Sequence, residues 1–180
     1  MELLEETRRM SVREGFVVLL RAEANLQLPS EDYEKIRSFY QKTADSCLLW
    51  ATEIYGEELR RSFLSLSDIR EKSRFRTRHY RFWMRVPWSD GEHVTILCES
   101  TRESERGDTD FYRIAHTWNV AEQTILPTSQ VLRLLGARPS THALPFVPNG
   151  VYKEGETIVI YQNASAEKAF SEVRFPVANP

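Results

Sequence analysis

The sequence is poor in cysteine, glycine and proline, and it has no long apolar run. Its 180 residues include two Cys, seven Gly and eight Pro. So few Gly and Pro exclude a collagenous or low-complexity chain. No apolar run is longer than five residues, the length of Phe16 to Leu20, whereas a membrane-spanning helix needs roughly 20. We therefore expect a globular chain that does not associate with a membrane.

The cysteines and histidines do not have the spacing of metal ligands. Cys47 and Cys98 lie 51 positions apart and form no C-x-x-C pair, and the four histidines are scattered. The sequence contains no P-loop, dinucleotide-binding, zinc-protease or nucleophile-elbow motif. The most readily recognised enzyme classes are thereby excluded. We assign no catalytic residue, no metal and no cofactor.

The N-terminus lacks the basic and apolar stretch of a secretory signal, since acids precede Arg8 and Arg9. We therefore expect neither export nor anchoring, and a cytoplasmic location. Nine Phe, seven Tyr and four Trp supply the bulk of a core. The length predicts a single domain over residues 1–180, with residues 1–14 as a candidate loosely attached segment.

The first half of the chain predicts a strand followed by a long helix. Phe16 to Leu28 is rich in Val and Leu and alternates in its second half, which is typical of a strand. Ser30 suits a helix N-cap. Gly56 is expected to bend or end the helix, with 57–66 as a second short piece. An apolar stripe with spacings of three and four predicts the buried helix face: Tyr33, Ile36, Tyr40, Ala44, Cys47, Ala51 and Ile54.

From residue 73 onward the apolar period changes to two, which predicts an antiparallel meander. Even-numbered residues of the first two strands carry the apolar face: Tyr80, Phe82, Met84, Val86, Val94, Ile96 and Cys98. A register in which paired numbers sum to about 180 places Arg81 opposite Glu99. A third strand at 111–120 carries His116 on its apolar face.

The last third predicts a short helix and further strands. The helix begins after Pro127 and ends at Gly136, and strands are expected at Ala143 to Val147, 157–162 and 173–177. The predicted fold class is α+β, an antiparallel meander sheet with one long and one short helix packed on one face.

Several local passages resemble a known family. They are His116-Thr-Trp-Asn-Val, Thr124-Ile-Leu, Ser129-Gln-Val-Leu, Phe146-Val-Pro-Asn-Gly-Val and Ile158-Val-Ile-Tyr. With the order of elements, they resemble the C-terminal domain of the RsiV type, the extracytoplasmic module of lysozyme-sensing anti-sigma factors that is also appended to some peptidoglycan deacetylases. The family's glycine-glycine-alanine-histidine passage is replaced here by Glu105-Arg-Gly-Asp-Thr-Asp. The resemblance implies the fold, and a binding or sensing role without catalysis.

The odd-numbered residues of the first meander strand are candidate partner-binding residues: His79, Arg81, Trp83 and Arg85. Trp and Arg are the residue types that dominate binding hot spots. If this face is open, we expect a non-catalytic module that presents it to a protein or glycan partner. The other possibility is that the C-terminal strands or the first ten residues cover it.

Two further functions stay open. The first is a small enzyme with a cleft near His116, although a histidine on an apolar face also fits a core position. The second is a single-stranded nucleic-acid binder that uses Arg74–Arg85, where cations alternate with aromatic rings. The pI of about 6.1 and the acids at 90–110 favour cross-strand neutralisation over nucleic acid. The sequence favours a protein that is not an enzyme, and it leaves the partner's identity and the oligomeric state undetermined.

Overall fold

The computed structural model describes residues 4–13, 16–24, 33–65, 78–103, 108–136, 144–165 and 168–177. These ranges contain nine strands and two helices: β1 (Leu4–Arg13), β2 (Phe16–Ala24), α1 (Glu34–Ser65), β3 (Arg78–Ser89), β4 (His93–Glu103), β5 (Thr109–Asn119), β6 (Thr124–Ile125), α2 (Thr128–Leu134), β7 (Gly150–Glu154), β8 (Thr157–Gln162) and β9 (Ser171–Pro176).

The strands form two sheets. The first has six strands in the order β1-β2-β3-β4-β5-β6, and the second has three in the order β7-β8-β9. All described pairs are antiparallel except β2–β3, which is parallel. Helix α1 lies between these two strands in the chain, as a parallel pair requires a long connection. The predicted α+β class with an antiparallel meander is confirmed.

Helix α1 packs on the even-numbered face of β3, β4 and β5, as the apolar stripe predicts. Ile36, Tyr40 and Ala51 are completely buried. They share one core cluster with the even-numbered sheet residues, namely Tyr80, Phe82, Met84, Val94, Ile96, Cys98 and Trp118. The helix continues through Gly56 to Ser65, so the expectation that it ends at this glycine is wrong. An interior glycine costs only about 1 kcal/mol.

The second sheet packs between the first sheet and α2. Its one face contacts the odd-numbered face of β4 and β5 through a cluster of Leu97, Tyr152, Val159 and Tyr161. Its other face packs on α2 through Val131, Leu135, Val151, Ile158 and Ile160. The two helices therefore lie on different sheets rather than on one face of a single sheet. The reason is that β8 is apolar on both faces, so both need cover.

The register of β3 and β4 differs from the predicted one. Trp83 lies opposite Glu99, and Arg81 lies opposite Thr101. A bulge between Arg85 and Trp88 adds one residue to β3, at the place where Pro87 removes a backbone donor. The predicted pairing of Arg81 with Glu99 is therefore wrong, although the division of the residues between the two faces is correct.

Other strand boundaries also differ. The strand expected at Ala143 to Val147 is wrong: its described part, 144–147, is a loop, and β7 begins at Gly150. Pro145 and Pro148 explain this, because neither can donate to a ladder. The sequence does not predict strand β1, because charged residues interrupt the alternation of its apolar residues. Residues 25–28 of the first predicted strand lie outside the described ranges.

Neither helix in the described part of the chain combines the length and the apolar character needed to cross a membrane.

Candidate functional site

The odd-numbered residues of β3, β4 and β5 form three cross-strand rows. They are Arg81–Thr101–Phe111, Trp83–Glu99–Arg113 and Arg85–Leu97–Ala115. Three of the predicted site residues, Arg81, Trp83 and Arg85, thus lie in successive rows of one face. His79 belongs to the next position of β3, where its backbone lies opposite Leu19 of β2. Its side chain is outside the described residues.

Six side chains from both sheets form a closed cycle of ion pairs, here called the Arg–Glu ring: Arg85, Glu99, Arg113, Glu172, Arg174 and Glu154. Glu99 of the first sheet is buried and accepts three hydrogen bonds. The donors are Arg113 Nε at 2.7 Å, Arg85 Nε at 3.2 Å and Trp83 Nε1 at 2.8 Å. This carboxylate therefore fixes two residues of β3 and one residue of β5.

The second sheet completes the ring. Arg113 Nη1 donates to Glu172 Oε2 at 2.7 Å, and Arg174 Nε donates to Glu172 Oε1 at 2.8 Å. Arg174 Nη1 donates to Glu154 Oε2 at 3.2 Å. Arg85 Nη1 donates to the other oxygen of Glu154 and closes the cycle. Three cations and three anions alternate, so the ring binds the sheets to each other without adding net charge.

Arg113 sits inside an aromatic enclosure. Its guanidinium carbon lies 5.1 to 5.6 Å from the ring centroids of Phe111, Tyr152, Tyr161 and Phe170. Such contacts gain in strength when the cation is withdrawn from water. The hydroxyl of Tyr152 is buried and has no hydrogen-bond partner among the described residues. The enclosure thus holds Arg113 by packing as well as by charge.

The second sheet also occupies part of the edge of β5. The carboxamide of Asn163 accepts from the Arg113 backbone N–H at 2.8 Å and donates to its carbonyl at 2.7 Å, as a neighbouring strand would. Tyr161 Oη accepts from the Ala115 N–H at 2.8 Å, and burial raises the pKa of Tyr161 to about 12. These backbone groups are therefore closed to a partner strand.

The Arg–Glu ring predicts a loss of stability in acid. Burial alone would raise the pKa of Glu172, but hydrogen bonds from Arg113 and Arg174 outweigh it and lower that pKa below the usual 4.5. The unfolded state then takes up protons first, so this contribution is complete above pH 4.5 and is lost as pH falls through the lowered pKa. In urea titrations, wild-type stability should fall more steeply below pH 4.5 than that of Glu172→Gln. Parallel pH profiles would contradict the assignment.

One row of the face stays accessible beside the covered part. Arg81 is exposed, and its guanidinium carbon lies 5.2 Å from the Trp83 ring centroid. The Trp83 and Phe111 centroids are 6.2 Å apart, and Phe111 meets Phe170 edge-on at 4.8 Å. The C-terminal strands thus cover the face around Glu99 and Leu97, whereas at its other end Arg81 is exposed and Trp83 and Phe111 are half-buried.

His116 lies on the opposite face, in an aromatic cluster with α1. Trp118 Nε1 donates to Tyr40 Oη at 2.8 Å, and Tyr40 Oη lies 2.9 Å from His116 Nδ1. This contact and the hydrogen bond from Trp118 tie His116 to α1 through Tyr40. Burial lowers the pKa of His116, which favours the neutral imidazole. Phe39 packs edge-on against it.

Both cysteines belong to the core cluster under α1. Cys98 is buried and Cys47 is half-buried, and burial raises the pKa of both thiols. The described residues contain no group of three or more His, Cys, Asp or Glu side chains that could hold a metal ion. Of the predicted nucleic-acid stretch, residues 74–77 lie outside the described ranges.

Sequence reasoning missed most of the Arg–Glu ring. Glu99 and Arg113 have odd numbers, as Arg81 and Arg85 do. The period of two in a strand therefore predicts that all four lie on one face of the sheet. Glu154, Glu172 and Arg174 belong to a second sheet, and no local pattern indicated which face of the first sheet they would meet.

Two solved structures of the DUF3298 family are similar to this chain. One, from Bacteroides fragilis, has a TM-score of 0.56 at 9% identity and is matched over 96% of this chain and 88% of that chain. The other, from Pseudomonas aeruginosa, has a TM-score of 0.50 at 12% identity, over 96% and 91%. No family model and no curated protein sequence matches. The likeness shows the fold, and DUF3298 is a domain of the kind found in RsiV-like proteins.

Proposed function

We propose that this chain is a non-catalytic binding module that recognises a protein or glycan partner at the open end of its sheet face, formed by Arg81, Trp83 and Phe111. The observation that carries the proposal is the exposed residue Arg81, whose guanidinium carbon lies 5.2 Å from the Trp83 ring centroid. Trp and Arg are among the residue types that dominate binding hot spots.

The Arg–Glu ring supports this function by holding Trp83 in place. The indole N–H is hydrogen-bonded to Glu99, and Glu99 is itself fixed by Arg85 and Arg113. A side chain that is already ordered loses little rotamer entropy when a partner binds. The ring is thus the support of the recognition surface and Arg81 is its contact residue.

The chemistry of this surface favours an anionic group next to a flat apolar one. Arg81 places its guanidinium at the edge of the aromatic residues, over the Trp83 ring. A guanidinium binds a carboxylate through two parallel hydrogen bonds, and the aromatic rings offer an apolar surface for stacking. An acidic peptide segment and an acidic glycan both present these features.

An NMR titration tests the proposal. The resemblance to RsiV-type domains makes hen egg-white lysozyme and soluble peptidoglycan fragments the first two probes, and a single-stranded oligonucleotide is the third. We expect a protein or glycan probe to shift the Trp83 indole N–H signal. Arg81→Ala should weaken that binding by about tenfold or more, equivalent to 1.4 kcal/mol, without a change in stability above about 0.5 kcal/mol.

Arg133→Ala is the matched control, because Arg133 is also exposed but lies on α2. The Arg133→Ala variant should bind the probe with the affinity of the wild type. Signals that shift around Tyr40 and His116 instead, or equal binding by Arg81→Ala and Arg133→Ala, would contradict the proposed surface. Binding of the oligonucleotide alone would favour the nucleic-acid alternative.

A further inference from the structure

Strand β9 is the outer strand of the second sheet in the described part of the chain. Val177 N donates to Glu156 O at 2.9 Å, which continues the β8–β9 register. Hydrogen-bonded pairs alternate along an antiparallel ladder. Odd-numbered residues of β9 therefore direct their backbone groups to β8, and Glu172, Arg174 and Pro176 direct theirs outward. Pro176, which has no N–H, occupies a position that an edge allows.

A groove of about 380 Å³ opens where the β8–β9 hairpin ends. Its wall includes Gln162 and Ser171, which are paired across the two strands, together with Lys168 and Phe146. The groove therefore lies beside the first residues of β9.

We infer that β9 pairs antiparallel with β9 of a second copy of this chain, around a twofold axis at Val173. In this register Glu172 lies opposite Arg174 of the second copy, and Arg174 lies opposite its Glu172. Both members of each pair direct their backbone N–H and C=O groups outward, so four hydrogen bonds form across the axis. The two three-stranded sheets become one continuous sheet of six strands.

The alternative registers fail on charge or on hydrogen bonding. A shift by one residue sets outward backbone groups against inward ones. A shift by two residues sets Glu172 against its own copy in one direction and Arg174 against its own copy in the other. Like charges directly opposite each other destabilise a strand pair, and opposite charges stabilise it. The sequence of β9 is therefore complementary to itself in one register only.

This pairing also removes an exposed edge, which is otherwise a site of aggregation. Pro176 limits the pairing to the residues that precede it in β9, because proline has no backbone N–H to donate. Val173 is the residue on which the pairing depends, since its side chain meets its own copy at the axis.

The mass of the full chain in solution tests the inference. Sedimentation velocity should give twice 21.0 kDa for the wild type, and Val173→Lys should dissociate it because two ammonium groups meet at the axis. Val147→Lys, a change at a residue that is 72% exposed outside β9, should remain a dimer. Circular dichroism and urea titration establish that each variant is folded.

A crosslink provides a second measurement. Since the Glu172–Arg174 pairs are hydrogen-bonded, Val173 forms a non-hydrogen-bonded pair with its copy, where Cα atoms lie about 4.5 Å apart. That distance suits a disulfide. With copper phenanthroline and air as the oxidant, Val173→Cys should crosslink within the dimer far faster than Val147→Cys, and wild type should not crosslink.

A wild type that stays monomeric at the highest soluble concentration would overturn the inference and leave the edge to an extended peptide. A dimer that withstands Val173→Lys, without a crosslink in Val173→Cys, would overturn it too because another surface would then form the contact.

Discussion

Arg113→Ala is expected to lower the free energy of unfolding by about 3 to 5 kcal/mol, which is typical when one partner of a buried ion pair is removed. The change leaves Glu99, which is 4% exposed, without its shortest ion pair. It also removes one of the two ion pairs of Glu172 and empties the space between four aromatic rings. Urea denaturation at pH 7, followed by tryptophan fluorescence and circular dichroism, measures this loss.

One further variant separates the geometry of this ion pair from its charge, and a second variant is the control. Arg113→Lys keeps the positive charge but cannot bind two carboxylates with the planar fork of a guanidinium, so an intermediate loss is expected. Arg102→Ala is the control. Arg102 pairs with Asp110 at 3.1 Å on a more exposed part of the sheet, where removing a pair costs about 0 to 1 kcal/mol. Equal losses from Arg113→Ala and Arg102→Ala would contradict the central role of Arg113.

The faces of the elements could be predicted because they follow from the period of the apolar residues. The spacing of Ile36, Tyr40 and Ala51 places them on one side of any α-helix, and they are completely buried. Parity likewise assigned Arg81 and Trp83 to the face opposite Phe82 and Met84. These predictions needed no information on what each face would contact.

The register could not be predicted, because it depends on one residue in a bulge. The apolar pattern on both sides of Pro87 fits more than one register of β3 against β4. Each of these registers keeps the apolar residues on one face of the sheet. The structure places the extra residue between Arg85 and Trp88. Trp83 rather than Arg81 then meets Glu99, and this leaves Arg81 at the open end of the face.

The second sheet has a signal in the sequence besides its turns. Ile158, Val159, Ile160 and Tyr161 are four consecutive apolar residues, which in a strand means that both faces are covered. Val159 and Tyr161 face the first sheet, and Ile158 and Ile160 face α2. Which element covers each face depends on contacts between residues far apart in the chain, and period alone does not supply them.

Gly150→Ala is expected to destabilise the protein by about 2 to 4 kcal/mol, through overpacking and the loss of a buried hydrogen bond. Gly150 lies directly opposite Tyr161 in the β7–β8 ladder. A Cβ at this position would lie 2.5 Å from Tyr161 Oη and 2.8 Å from its Cε1 and Cζ. The ring cannot move aside at little cost, because it is 1% exposed and its hydroxyl accepts from the Ala115 N–H.

A double-mutant cycle with Tyr161→Phe shows whether this contact causes the loss. On its own, Tyr161→Phe leaves the Ala115 N–H without its acceptor and should cost about 1 to 3 kcal/mol. In the Gly150→Ala background that hydrogen bond is already displaced, and removing the hydroxyl relieves the closest contact. The second change should therefore cost less there than in the wild type, with a coupling of about 0.5 to 3 kcal/mol. Additive losses, or a Gly150→Ala variant within about 0.5 kcal/mol of the wild type, would show that Tyr161 does not need a glycine opposite it.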